Sequence, residues 1–260
     1  MRSRHSGYRT RRWNWSWSTA YRSTSVTSCS RVTGGTFHSV ANMLLRRYGS
    51  HLGFGSGFTI IDRGDAEGII NLLKSSLDLG GRRKQFPSKR AVINMISGAV
   101  NKARPLEDLI FEEYNHLAEF TDDILLLQKH YHSFKIDHGL MDYDDLLVNW
   151  KRLMVEVIEA REEISNRYRY IMVDEYQDTN HLQAEILYHL ADRNHNVMAV
   201  GDDSQSIYAF RGANFKNIID FPRIFPGTTI IGLEENYSSV QPILSLTNAV
   251  IDRATDRKSV

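Results

Sequence analysis

Short apolar segments that alternate with an amphipathic helix constrain the fold of this chain more than any other feature. The segments are YIMV (170–173), VMAV (197–200) and TTIIGL (228–233), and residues 182–193 between the first two carry leucine and isoleucine at helical spacing. Short apolar strands that alternate with helices predict a parallel sheet with both faces covered. We therefore expect an α/β fold in this part of the chain, with ligands bound at the carboxyl ends of the strands.

Polar residues follow each of the three segments. Asp174 and Glu175 follow the first, Gln205 and Arg211 come after the second, and EENY (234–237) follows the third. Polar loops and helix caps would explain one such cluster, but three at neighbouring strand ends would converge on one crevice. In ATP hydrolysis, one carboxylate can hold Mg²⁺ and a second can polarise the attacking water, while an amide contacts the γ-phosphate and an arginine neutralises charge in the transition state. Asp174, Glu175, Gln205 and Arg211 fit these four roles in turn.

Apolar residues recur at helical spacing across most of residues 36–165. A glycine-containing loop, HLGFGSGFTIID (51–62), interrupts the pattern and leads into a predicted strand at 58–61. The predicted helices cover residues 36–49, 66–77, 88–102, 105–119, 122–134 and 143–165. The last of them begins with an acidic cluster, DYDD (142–145), which we expect to be a solvated helix start favoured by the helix dipole.

Several of these segments resemble the motifs of superfamily 1 DNA helicases of the UvrD/Rep type. VDEYQDTN (173–180) resembles their Walker B motif, VGDDSQSIYAFRGA (200–213) their third motif and LEENYSS (233–239) their fourth. GTFHS (35–39) and DYDDLLVNW (142–150) resemble two further motifs, the first of which is linked to DNA. The resemblance covers roughly residues 35–253.

The resemblance implies a RecA-like parallel sheet of the P-loop NTPase type with a large helical insertion. The first RecA-like domain would comprise residues 36–49 and 166–227, the insertion residues 50–165, and the start of a second RecA-like domain residues 228–260. The implied activity is ATP-driven 3′→5′ translocation on DNA, with ATP and Mg²⁺ as cofactors.

The resemblance also assigns residues to the ATP site. It implies that Asp174 binds Mg²⁺, Glu175 activates water and Gln205 contacts the γ-phosphate. Tyr237 matches a residue that stacks on adenine.

Single-stranded DNA is the partner that the resemblance implies. Thr36 and His38 match the DNA-side motif, and Tyr208 and Phe210 lie where relatives stack on DNA bases. A role in the core is an equal alternative for Tyr208.

The chain departs from the family pattern in three ways. No G-x-x-x-x-G-K-[ST] loop is present, since none of the 17 glycines is followed by lysine. Ser238 stands where the family has an arginine, and the sequence ends before most of the second RecA-like domain. Because most of the second domain is missing, we expect a truncated form. Because the missing loop is the main anion site for the triphosphate, we expect that form to have little or no ATPase activity.

Two other functions stay open at this point. A non-catalytic remnant could bind single-stranded DNA through a basic arm and aromatic residues. A metal-dependent nuclease could use Asp174, Glu175, Asp202 and Asp203, but no His or Lys lies near these carboxylates in the sequence, and such a nuclease gives Gln205 no role.

Residues 1–35 are rich in Arg and Ser and contain Trp13, Trp15 and Trp17, without the periodicity of a packed element. Three interpretations compete: an organellar transit peptide, a nucleic-acid-binding arm, and a non-native stretch such as one translated out of frame. If residues 1–35 are translated out of frame, another reading frame of the gene would encode a glycine-rich loop ending in GKT or GKS.

The bulk composition excludes several classes of protein. The single cysteine, Cys29, excludes a disulfide framework and a cysteine-based zinc site, and it fits a reducing, bacterial-type cytoplasm. No apolar run approaches the roughly 18 residues of a membrane span, so we expect no membrane partner. The composition carries no indication of the oligomeric state.

Overall fold

The structure is a computed structural model that describes residues 32–54, 57–79, 86–202, 205, 216–233 and 239–252. These residues are mainly helical, with four short strands in two parallel pairs, which agrees with an α/β fold. The α-helices are α1 (Phe37–Tyr48), α2 (Arg63–Ser76), α3 (Lys89–Asn101), α4 (Leu106–Glu113), α5 (Thr121–Asp137), α6 (Tyr143–Glu156), α7 (Ile158–Arg167), α8 (His181–Ala191), α9 (Lys216–Ile224) and α10 (Gln241–Asp252). The strands are β1 (Thr59–Ile60), β2 (Leu140–Met141), β3 (Ile171–Val173) and β4 (Val197–Ala199).

Side-chain caps set the starts of five helices. The capping residues of α1, α2, α3, α6 and α8 are Thr36, Asp62, Ser88, Asp142 and Asn180. Each accepts a hydrogen bond from the backbone N–H three residues later, which satisfies a donor that the first turn leaves free. Short 3₁₀ helices cover Gly49–Leu52, Asn115–Phe120 and Tyr176–Asp178.

Two of the predicted helices are each divided in two. The segment 105–119 is α4 followed by a 3₁₀ helix, and the segment 143–165 is α6 followed by α7. The second division lies at Val157, whose backbone is extended (φ −114°, ψ 90°). This bend changes the direction of the chain, so that Ala160 and Ile164 of α7 reach the same core as α6.

The buried residues form three clusters. The first joins α1, α6, α7 and α8 and includes Leu45, Trp150 and Ile186. The second lies among helices α2 to α5. The third packs Tyr176 and helices α8 and α9 against one face of the β3–β4 pair. The last two helices of segment 50–165 therefore pack with α1 and α8.

The β3–β4 pair positions the predicted site. Its strands run parallel with Met172 opposite Met198, and their Ile171 and Val173 side chains face the third core cluster. Met172 and Met198 lie on the other face and are 60% and 47% exposed. The prediction that both faces of the sheet are covered is therefore wrong within the described residues.

The predicted strand at residues 228–233 is also wrong. This segment has no strand backbone, and Ile230, Ile231 and Leu233 are exposed. A strand is stabilised by pairing with a neighbour, and no described strand lies beside this segment. Conversely, β2 was not predicted. It forms through pairing with β1, about 80 residues earlier in the sequence.

None of the described helices combines the length and the apolar character needed to cross a lipid bilayer.

Candidate functional site

Asp174 and Glu175 lie immediately after β3, as predicted, and both carboxylates are exposed. The chain on either side of them is fixed to the end of β4: the Val200 N–H donates to the Val173 carbonyl (2.8 Å), and the Tyr176 N–H donates to the Val200 carbonyl (2.9 Å). Glu175 has a left-handed backbone (φ 52°, ψ 42°). Non-glycine residues rarely adopt this conformation, so the turn orients Glu175 at a cost in stability.

Gln177 connects Glu175 to the end of the neighbouring strand. Its Nε2 donates to the Glu175 Oε2 (2.7 Å), and its Oε1 accepts from the Asp202 N–H (3.1 Å). The side chain is only 1% exposed, so it has little freedom to leave these partners. This amide bridge, from Glu175 through Gln177 to Asp202, fixes the direction of the Glu175 carboxylate.

Gly201 allows Gln177 to occupy this place. A Cβ atom at Gly201 would lie 2.8 Å from the Ile218 Cδ1 and in closer conflict with the Gln177 Oε1. The glycine is therefore required for space, since real Cβ atoms do not approach other atoms this closely.

Gln205 lies beside the amide bridge. Its Nε2 donates to the Asp202 Oδ2 (2.9 Å), and its N–H donates to the Asp202 carbonyl (3.0 Å). The structure thus links Glu175, Asp202 and Gln205 through one set of hydrogen bonds. The other site residues predicted on this edge and on the DNA side, Arg211, Tyr237, Tyr208 and Phe210, lie outside the described residues, as does Ser238.

The turn after β3 carries three carboxyl groups, those of Asp174, Glu175 and Asp178. Within the described residues, neither Asp174 nor Glu175 forms an ion pair. Asp178 has a buried Oδ1 without a described hydrogen-bond partner, and burial, followed by the charge of Glu175, raises the pKa of its carboxyl. Burial also raises the pKa of the neighbouring Tyr176 to about 12. Such a turn favours a cation.

The carboxylates of this turn are better suited to bind Mg²⁺ together with substrate phosphates than to form a metal site from protein ligands alone. Among the residues that the structure describes, no group of three or more His, Cys, Asp or Glu is placed to hold a metal ion, so Asp174, Glu175 and Asp202 do not form such a group. Mg²⁺ at nucleotide sites is usually bound by one or two carboxylates, several waters and the substrate phosphates.

The predicted DNA-side residues lie at the start of α1. Thr36 caps the helix, its Oγ1 accepting from the Ser39 N–H (3.2 Å). His38 is half-buried, and this burial lowers its pKa below the usual range. Its ring forms a T-shaped pair with the ring of Tyr143, with 5.9 Å between centroids. The structure therefore brings the segments GTFHS and DYDDLLVNW together.

Comparison with known proteins tests the resemblance directly. A family model for the UvrD/REP helicase N-terminal domain matches residues 3–226 of the chain. The chain belongs to the UvrD/REP helicase family.

Several bacterial DNA helicases are similar to the chain. It is 34% identical over 223 residues to the ATP-dependent DNA helicase PcrA of Staphylococcus epidermidis, covering 86% of this chain and 30% of the relative. The PcrA proteins of Bacillus subtilis and Staphylococcus aureus are each 33% identical over 86% of this chain. The chain spans about 30% of the length of these relatives.

The acidic cluster DYDD (142–145) at the start of α6 differs from the prediction in one respect. Asp142 does cap α6, in a capping box with Asp145, but the cluster is not a solvated helix start. Lys135 of α5 is 5% exposed, and its Nζ lies 2.6 Å from the Oδ2 of Asp142 and 2.6 Å from the Oδ2 of Asp145. The prediction was wrong because this lysine lies on another helix. The Tyr131 hydroxyl also donates to the Asp142 Oδ2 (2.9 Å).

The two carboxyls around Lys135 have opposite pKa shifts. Burial acts to raise the pKa of Asp142, but the ammonium group and its hydrogen bond outweigh burial, so this pKa is lowered. Burial and the charge of Asp142 together raise the pKa of Asp145. One ammonium group thus pairs with two half-buried carboxyls.

Gln177 and Gly201 are site residues that the sequence did not reveal. Both stand in recognised segments, but the spacing assigns them no role. The available signals were a glutamine two residues after Glu175 and a glycine directly after the apolar run VMAV. Their meaning depends on contact between segments about 25 residues apart.

Proposed function

We propose that the chain is the first domain and the start of the second domain of an ATP-dependent 3′→5′ DNA helicase and translocase. The amide bridge from Glu175 through Gln177 to Asp202 is the observation that carries the proposal. It joins a carboxylate at the end of one parallel strand to the segment after the next strand, where the amide of Gln205 also lies. This arrangement suits phosphoryl transfer, in which positioning and charge supply most of the catalysis. The names of the PcrA relatives agree with it.

The proposed domain division follows the family resemblance. Residues 36–49 and 166–227 form the first RecA-like domain, residues 228–260 begin the second, and residues 50–165 are a large helical insertion whose last helices pack into the first domain. Residues 1–35 are an atypical segment for which the three interpretations stay open.

The chain's own residues divide the ATP chemistry among them. When bound, Mg²⁺ would neutralise phosphate charge, and Asp174 is the residue that would hold it. Glu175 accepts the proton of the attacking water, while Gln177 fixes the direction of its carboxylate. Gln205 donates to the γ-phosphate, and Arg211 stabilises the charge that develops in the transition state. Tyr237 stacks on adenine.

Single-stranded DNA is the proposed partner. Thr36, His38, Tyr208 and Phe210 would contact it, the aromatic rings by stacking on bases. The proposed location is a bacterial-type cytoplasm, with organellar targeting by the basic N-terminal segment as the alternative.

Steady-state ATP turnover with and without single-stranded DNA tests the proposed activity. We expect little or no turnover from this chain, because it lacks the lysine and backbone cradle of a phosphate loop. Turnover of about 1 s⁻¹ or more, abolished by Glu175→Gln, would contradict the expected low activity. Mg²⁺-dependent binding of a fluorescent ATP analogue should be weakened by Asp174→Asn, but not by Asp137→Asn at an exposed position on α5.

DNA binding is the second test. The fluorescence anisotropy of a labelled oligo(dT) should report binding that weakens as salt rises, since phosphate contacts release counterions. His38→Ala should lower the affinity, whereas His51→Ala, which changes an exposed histidine in the 3₁₀ helix after α1, should leave it unchanged. Equal affinities for the two variants would exclude His38 from the DNA contact. Absence of binding by the unmodified chain would contradict the proposed partner.

A further inference from the structure

Asn101, the last residue of α3, contacts two segments that carry different parts of the proposed function. Its Oδ1 accepts from the Asn180 Nδ2 (2.7 Å), and its Nδ2 donates to the Asp144 Oδ1 (2.9 Å). Asn180 ends the turn after Asp174 and caps α8. Asp144 lies in the first turn of α6. One side chain therefore touches both the turn after β3 and the helix that begins beside the DNA-side motif.

The chemistry of the partners permits one orientation of the Asn101 amide. The Asn180 Nδ2 can only donate, so it needs the Asn101 oxygen, and an ionised Asp144 carboxylate can only accept, so it needs the Asn101 nitrogen. Rotating the amide by half a turn would place donor against donor and acceptor against acceptor. Because these hydrogen bonds are partly buried, bonds to water would not fully replace them.

Each end of this link leads to a predicted functional group. On one side, Asn180 caps α8 and follows Thr179, whose hydroxyl donates to the Tyr176 carbonyl (2.6 Å) within the turn that carries Glu175. On the other side, Asp144 is adjacent in sequence to Tyr143, whose ring contacts His38.

We propose that Asn101 is a positioning residue that couples the turn after β3 to the His38–Tyr143 pair, so that a displacement of one is passed to the other. This role rests on the proposed function, in which the turn faces ATP and the aromatic pair faces DNA. If Asn101 had only a structural role, it would stabilise the packing of α3 against α6 and α8 without transmitting any change between the turn after β3 and the His38–Tyr143 pair.

The ring resonances of His38 distinguish these two roles. The two rings form a T-shaped pair with 5.9 Å between centroids, so a small movement of α6 changes the ring-current shift of His38. In the full chain with ¹³C-labelled histidine, assigned by His38→Gln, Asn180→Ala should shift the His38 signal. The same Asn180→Ala substitution should produce no shift when Asn101→Ala is already present, because the link is then broken.

Gln183→Ala is the matched control. It removes the Gln183 Oε1, which accepts from the Asn180 N–H in the capping box of α8, but leaves the Asn180–Asn101 hydrogen bond in place. We expect no shift of His38 in this variant. If Gln183→Ala shifts His38 as much as Asn180→Ala does, fraying of α8 explains the effect and the proposal is overturned. It is also overturned if Asn180→Ala leaves His38 unmoved, or moves it equally in both backgrounds.

A second variant protects the test against misfolding. Asp144→Ala removes the other end of the link while leaving Asn101 intact, and burial already disfavours the charge of this carboxyl by raising its pKa. In that background too, Asn180→Ala should cause no shift of His38, and a retained shift would overturn the proposal. If the unmodified chain does not bind oligo(dT), the proposed function fails, while the His38 measurement still decides the role of Asn101.

Discussion

Replacing Gly201 by alanine should destabilise the protein and displace the side chain that holds Glu175. The new Cβ would lie 2.8 Å from the Ile218 Cδ1 and in closer conflict with the Gln177 Oε1. The Gln177 Oε1 can move away only by giving up its hydrogen bond from the Asp202 N–H. Overpacking costs about 1–3 kcal/mol, and one lost hydrogen bond adds about 1 kcal/mol. We therefore expect a loss of about 2–4 kcal/mol in the free energy of unfolding.

Thermal unfolding of the full chain measures this loss. At about 2–4 °C per kcal/mol for a chain of this size, the Tm of Gly201→Ala should fall by roughly 4–16 °C. Gly68→Ala is the matched control, because Gly68 lies within α2 and an added Cβ there meets no atom within 4 Å. It should stabilise the protein by about 0.5–1 kcal/mol. A Tm for Gly201→Ala equal to or above that of the unmodified chain would refute the packing that we describe around Gln177.

Lys135→Met should lower the free energy of unfolding by about 3–5 kcal/mol, measured by urea denaturation, because it leaves Asp142 and Asp145 without their counter-ion; an unchanged urea midpoint would contradict this ion pairing. Burial raises the folded-state pKa of Asp144, so the unmodified protein loses stability as pH rises from the unfolded-state pKa through the folded-state pKa. Asp144→Asn should reduce this loss of stability, as measured by urea denaturation at several pH values. If the free energy of unfolding falls equally steeply with pH in the variant and the unmodified protein, Asp144 is not its source. Thr36→Ala should lower the free energy of unfolding by about 1 kcal/mol by removing the cap of α1, whereas Thr36→Ser keeps the hydroxyl and should not. Equal urea midpoints for the two variants would contradict the capping role.

The sequence predicted the elements that depend on short-range rules. The apolar runs YIMV and VMAV became β3 and β4, and the helices predicted at 88–102 and 182–193 differ from α3 and α8 by two residues or fewer at each end. Asp174 and Glu175 follow β3 as expected, because a carboxylate pair directly after an apolar strand is a local pattern.

The failures depend on contacts between distant residues. Nothing near residues 142–145 in the sequence shows that Lys135 points from a neighbouring helix into the acidic cluster. The segment 228–233 has the composition of a strand, but composition does not supply a pairing partner. Within the site, Gln177 gains its role only because β3 and β4 pair and bring the Asp202 N–H within reach.

The left-handed backbone of Glu175 has a consequence for how this position can vary. The backbone favours glycine or asparagine there, by roughly 1–2 kcal/mol over other residues, whereas the proposed chemistry requires a carboxylate. Stability and activity therefore select different residues at one position. In a library of variants sorted for stability alone, residue 175 should drift to glycine or asparagine, while sorting for ATP turnover in an active relative should retain glutamate.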